Sequence, residues 1–124
     1  MTARYVLDAG VLIAAARGRS EPWAWQTGPG RSAIVPAAVL AQVWRRPPSG
    51  NLARFLKGVA VEELTEDAAR EAGELLGRAG TADVVDASVV VVARRYGADV
   101  VTADTGDVGR LVAAPRAEVR VRRL

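Results

Sequence analysis

Hydrophobic and polar positions along this chain switch repeatedly between a two-residue and a 3.6-residue period, which divides it into short strands and helices. The apolar run Tyr5-Val6-Leu7, within residues 4–7, predicts a buried first strand. Asp8 follows directly, and an apolar helical pattern then covers residues 9–17 before Gly18. A short helix is expected over 21–26, with Pro22 at a tolerated early position and Trp23 and Trp25 on it. The turn Thr27-Gly28-Pro29-Gly30 leads to a short buried strand at 32–35, and Pro36 opens a helix over 37–46. Pro47-Pro48-Ser49-Gly50 breaks it, and Asn51 is expected to cap the next helix, at 52–57.

Residues 59–64 alternate as a third strand, after which Thr65 caps a helix with Glu66 and Asp67 in its first turn. On that helix Ala68, Ala69, Ala72, Leu75, Leu76 and Ala79 share one face. Residues 84–96 are apolar nearly all round, which predicts a buried helix ended by Gly97. A strand at 99–102, a helix running to about 112 and an edge-like strand at 118–122 complete the pattern. Strands separated by helices predict one α/β domain over 1–124, a three-layer α/β/α fold around a mostly parallel five-stranded sheet.

Composition narrows the chemistry. Half of the 124 residues are apolar and a quarter are charged, so the chain buries a proper core and is globular. Its apolar runs fall far short of the roughly 18 residues of a membrane span, and the start lacks a signal-peptide pattern. A soluble cytoplasmic protein is the expectation. With no Cys and no His, a Ser–His–Asp triad, a Cys–His pair, an imidazole base and His- or Cys-held zinc are all excluded. Any metal has to be a hard cation on carboxylate oxygens: Mg²⁺, Mn²⁺ or Ca²⁺. No Walker sequence or G-x-G-x-x-G cradle is present.

The charge is uneven: residues 1–60 carry +6, residues 61–83 carry −5 and residues 84–124 carry +2. Of 17 cations, only Lys57 is not Arg. Arginine's planar fork suits phosphate and stacks on bases, which is compatible with a nucleic-acid partner. A codon-usage bias toward Arg explains the same count.

Five of the 14 acids stand apart: Asp8, Asp83, Asp86, Asp104 and Asp107. Asp8 and Asp104 each follow an apolar strand, and in a parallel sheet such positions share the carboxyl edge where ligands bind. Asp83 and Asp86 are i,i+3 neighbours at the start of the buried helix, and Asp107 is three residues from Asp104. Two carboxylates about 4 Å apart repel by about 4 kcal/mol at an effective dielectric near 20. Either they are spread out as independent helix caps, or a divalent cation sits between them. Asp83 reads best as a cap, whereas Asp86, in so apolar a helix, needs a partner. A carboxylate-held hard metal suits phosphodiester hydrolysis without histidine. Arg45, Arg46 and Arg54 are candidates for holding the polyanion, the alternative being a solvated helix face.

Taken in order, residues 5–13 (YVLDAGVLI), 35–45 (VPAAVLAQVWR), 81–93 (TADVVDASVVVVA) and 100–107 (VVTADTGD) resemble the PIN domain family, and within it the VapC-type toxins. The resemblance covers essentially the whole chain. It implies a PIN-like fold and a Mg²⁺- or Mn²⁺-dependent endoribonuclease acting on tRNA or rRNA. It also implies a VapB-type antitoxin whose C-terminal segment covers the active site, a homodimer and a toxin–antitoxin hetero-oligomer. By position it makes Asp8, Asp86 and Asp104 metal ligands, with Asp107 an accompanying catalytic acid and Thr102 a hydroxyl residue before the fourth acid. Asp83 is a further accessory candidate.

One position departs from the family pattern. Where the helix after the second strand usually brings a Glu, this chain has Gln42. An amide oxygen can hold a water or a metal but supplies neither negative charge nor a base. The competing expectation is therefore a degenerate PIN domain that binds RNA or a protein without cleaving. A phospho-receiver domain also gathers acids at strand ends, but it needs a Lys after a late strand, and Lys57 is in the first half.

Overall fold

The computed structural model describes residues 2–80, 83–103 and 119–124. Strand β1 (Ala3–Leu7) is central, in a sheet ordered β3-β2-β1-β4-β5, with β2 at Arg31–Pro36, β3 at Ala60–Glu62, β4 at Asp99–Thr102 and β5 at Val121–Arg123. Every pairing between these strands is parallel. Between strands run α1 (Ala9–Ala16), a 3₁₀ turn (Glu21–Trp25), α2 (Ala37–Val43), α3 (Gly50–Leu56), α4 (Glu66–Ala79) and α5 (Val84–Tyr96).

The crossovers between parallel strands sort these helices into layers. Helix α1 packs on α3 and the 3₁₀ turn, whereas α5 packs on α4 and lies across β1, β2 and β4. Helix α2 touches both α1 and α5 at the strands' carboxyl edge. The result is the expected α/β/α arrangement. Val6, Leu7, Val35, Val100 and Val101 fill the sheet, and Leu12, Phe55, Leu75 and Val89–Val92 close over it. Continuous aliphatic strands of this kind are what a sheet covered on both faces requires.

Helix ends follow local chemistry. Thr65 caps α4, its hydroxyl accepting from the Ala68 N–H, and Gly80 and Gly97 end α4 and α5 in the left-handed conformation. Three expectations need correction. Helix α2 stops at Val43 rather than at 46, because Trp44 is already extended ahead of Pro47 and the Arg45 guanidinium takes the Ala41 and Trp44 carbonyls. Helix α3 is capped by Ser49, which accepts from the Leu52 N–H, while Asn51 lies inside the helix. Strand β3 keeps only Ala60–Glu62 of the 59–64 pattern, since Glu63 and Leu64 are exposed past the end of β2. The expected helix running to 112 lies outside the described residues.

Candidate functional site

The order β3-β2-β1-β4-β5 makes β1 and β4 the pair between which the chain's winding changes direction. Ligands of open parallel sheets bind in the crevice outside the carboxyl ends at such a point. Two residues stand there. Leu7 pairs with Val101, and the Asp8 N–H donates to the Val101 carbonyl at 3.0 Å, so Asp8 and Thr102 come level one step beyond. The Thr102 hydroxyl donates to Asp8 Oδ2 at 3.0 Å, and both side chains are buried. Asp8 Oδ1 accepts from the Ala9 N–H at 2.7 Å. The carboxylate therefore caps α1 and takes a hydroxyl from β4 at the same time.

Gly10 keeps this corner tight. A Cβ at Gly10 would lie 2.7 Å from the Ala103 Cβ, so α1 can pass over the end of β4 only without a side chain. Closing α1 onto β4 in this way seats Asp8 against Thr102.

Asp86 reaches the same edge by a different route. Helix α5 ends by feeding β4 at its amino end, and 13 residues at 1.5 Å each carry its start back by about 20 Å, roughly a strand's length. Asp86 lies in the first turn, half-buried, and its N–H donates to Asp83 Oδ1 at 2.9 Å. Asp83 caps α5, and its exposed carboxylate is engaged in that role. Both helix N-termini direct their partial positive charge toward the edge that carries the acids.

The other sequence candidates are distributed differently. Gln42 is exposed on the last turn of α2, the helix that touches both α1 and α5. Asp104 and Asp107 lie outside the described residues. Arg45 bends back on its own chain, Arg54 is bound to the Asn51 side chain, and Arg46 is exposed beyond α2. Among the described residues, no three acidic side chains group closely enough to hold a metal ion.

One cavity opens beside this corner, and another lies toward the β3 edge of the sheet. An apolar groove of about 580 Å³ runs between α2, α3 and β3, with Leu40, Trp44, Leu56 and Val61 on its walls and Lys57 its one charge among the described residues. The second cavity, about 450 Å³, opens beside Gly10 and Ala103 and is walled by Arg17, Arg19 and Arg123. Sequence reasoning passed over these three arginines, because only the β4–β5 register brings Arg123 level with Thr102.

The PIN domain family model matches residues 5–111. This chain belongs to the PIN domain family. No curated protein sequence matches it. Among solved structures, the PIN domain is similar to VapBC2 from Rickettsia felis bound to a DNA fragment from its promoter, at 16% identity over 98% of each chain and a TM-score of 0.73. DNA-bound VapBC from Salmonella typhimurium matches at 20% identity over 98% of each chain, with a TM-score of 0.71. Mycobacterium tuberculosis VapC20, described as a sarcin-ricin loop cleaving toxin, matches at 22% identity over 85% of this chain and 92% of its own, with a TM-score of 0.64. At these identities the matches establish a shared fold. No helix among the described residues is long and apolar enough to cross a membrane.

Proposed function

We propose that this PIN domain is a VapC-type toxin, a metal-dependent endoribonuclease that cleaves tRNA or rRNA and is held silent by a VapB-type antitoxin. The observation that carries the reading is the buried Asp8–Thr102 pair at the sheet's switch point. A carboxylate buried there, oriented by a hydroxyl and a helix N-terminus, is held ready for a cation. Asp86 at the same edge supplies a second acid. Asp104 and Asp107 complete the set by their place in the family pattern.

An all-oxygen donor set without His or Cys fits Mg²⁺ or Mn²⁺. Asp8, Asp86 and Asp104 are the residues that would hold the ion. When bound, it would neutralise charge on the phosphorus and promote ionisation of an attacking water. Thr102 keeps Asp8 in one orientation, and the α1 and α5 N-termini offset the repulsion between carboxylates.

The apolar groove supports the antitoxin part of the reading. Trp44 and Val61 are 37% and 48% exposed on its walls, and apolar patches of this kind mark partner surfaces. An amphipathic helix laid into the groove would cover both. The toxin would act as a homodimer released from a hetero-oligomer with its antitoxin, as a soluble protein of the cytoplasm.

Purified, antitoxin-free protein should cleave total RNA with Mg²⁺ or Mn²⁺ and stop when the metal is chelated. Asp8→Asn and Asp86→Asn should each abolish cleavage and growth inhibition. Undiminished toxicity of both variants would sink the proposal. Gln42 supports a second reading, a PIN domain that binds RNA without cutting it. Intact RNA after incubation with Mn²⁺, together with measurable RNA binding, would favour that reading.

A further inference from the structure

The cavity beside the Asp8 corner and the groove toward β3 have opposite chemistry, which suits them to different occupants. The groove at α2, α3 and β3 is apolar apart from Lys57 and offers little to a polyanion. Beside Gly10 and Ala103, the second cavity carries Arg17, Arg19 and Arg123 against one acid among the described residues, Glu21. Glu21 is spent on Arg19, whose Nε and Nη2 donate to its carboxylate at 3.2 and 3.0 Å. Both groups are exposed, and such a pair is easily replaced by a stronger anion. Neither Arg17 nor Arg123 makes an ion pair among the described residues.

Position ties this cavity to the candidate site. Arg123 is the register partner of Thr102, whose hydroxyl binds Asp8, so Asp8, Thr102 and Arg123 form one row across β1, β4 and β5. Arg17 is at the other end of α1, its backbone about 14 Å from that of Asp8 by the rise of nine residues. That is too far to touch a phosphate held at Asp8, but it suits a neighbouring one on the same strand. Arginine is the residue that grips phosphate in a fork. A volume of about 450 Å³ is also that of a ligand-sized pocket.

We propose that the Arg17–Arg19–Arg123 cavity is a phosphate-binding subsite that holds the backbone of single-stranded RNA next to the Asp8 site. The inference rests on the ribonuclease reading for its ligand, and it adds where the strand runs: along α1 toward β5, away from the apolar groove. The three arginines are positioning residues. The bond being cut is not theirs.

The test measures binding apart from cleavage. Fluorescently labelled single-stranded RNA is titrated with the full chain in EDTA, at several salt concentrations, for wild type and Arg17→Glu/Arg123→Glu. The double variant should bind about tenfold or more weakly at low salt, and its salt slope should fall by about 1.4, near 0.7 for each lost phosphate contact. Arg70→Glu/Arg78→Glu, the same charge change on α4, should bind within about twofold of wild type; circular dichroism checks that both fold. Arg17→Gln/Arg123→Gln should fall between wild type and the reversed variant. Equal binding by the Arg17/Arg123 variant and wild type overturns the subsite, as does an equal loss in the α4 control. If the variant keeps RNA but loses poly-glutamate peptide, the cavity serves an acidic protein segment and the proposal falls. Tight RNA binding by wild type with no cleavage in Mn²⁺ would defeat the ribonuclease reading while leaving the subsite standing.

Discussion

Thr102 and Asp8 are 94 residues apart in sequence, and they meet through one buried hydrogen bond of 3.0 Å. Thr102→Val keeps the shape and removes the donor. Losing a hydrogen bond to a charged group should lower stability by about 1.5–3 kcal/mol. Outer partners of metal ligands are typically worth about 10–100-fold in metal affinity, so the Mn²⁺ concentration that raises the melting temperature should rise by that factor. Thr102→Ser should recover most of the loss. A valine variant that responds to Mn²⁺ like wild type would show that the hydroxyl serves the fold alone.

Gln42→Glu tests the weak corner of the site. If a carboxylate at position 42 contributes charge, cleavage in Mg²⁺ should stay equal or increase, measured as kcat/KM on one labelled RNA. Complete loss of activity would mean that the amide is suited to its place and that the family pattern misleads here.

Gly10→Ala brings two forces into opposition. Alanine gains about 1 kcal/mol in helix propensity, but its Cβ would sit 2.7 Å from the Ala103 Cβ. Overpacking of this kind costs about 1–3 kcal/mol, so the variant should be neutral to about 2 kcal/mol less stable, with impaired cleavage. Adding Ala103→Gly should relieve the clash and restore activity. Denaturant unfolding of the singles and the double measures that coupling.

The Tyr96 hydroxyl donates to Glu62 Oε2 at 2.7 Å, and this hydrogen bond, with some desolvation, raises the phenol's pKa. A raised folded-state value contributes stability below the ordinary phenol pKa and loses it as pH rises through the folded value. Wild type should therefore keep its advantage over Tyr96→Phe up to about pH 10 and lose it over the range above. Parallel urea titrations would reveal this; a constant difference across that range would argue against the bond's role.

How much of this was legible beforehand follows the range of the interactions. Helix α5 and its Gly97 end were readable because a nearly all-apolar run and a terminal glycine are local signals. Asp8 stood out because it follows an apolar strand, whereas Thr102 was marked only by the resemblance to the PIN pattern. Their hydrogen bond was not readable, since it depends on register between β1 and β4. The end of α2 was misjudged because an Arg45 side chain, not a glycine, satisfies its last carbonyls. Ser49 displaced Asn51 as the cap because the helix starts at Gly50, where the Ser49 hydroxyl accepts from the Leu52 N–H and also donates to the Ala16 carbonyl, a contact made only once α1 and α3 pack. The basic cavity depends on tertiary placement alone, because Arg17 and Arg123 share no motif.

Strand β3 closes one side of the sheet with only Ala60–Glu62, and the Val61 side chain looks into the apolar groove. So short an edge gives an incoming strand almost no backbone to pair with. A protein that settles on this end of the molecule therefore has to recognise side chains, fitting apolar residues around Trp44 and Val61. Related PIN domains with the same backbone can then select different partners by changing a few groove residues, with the sheet left untouched.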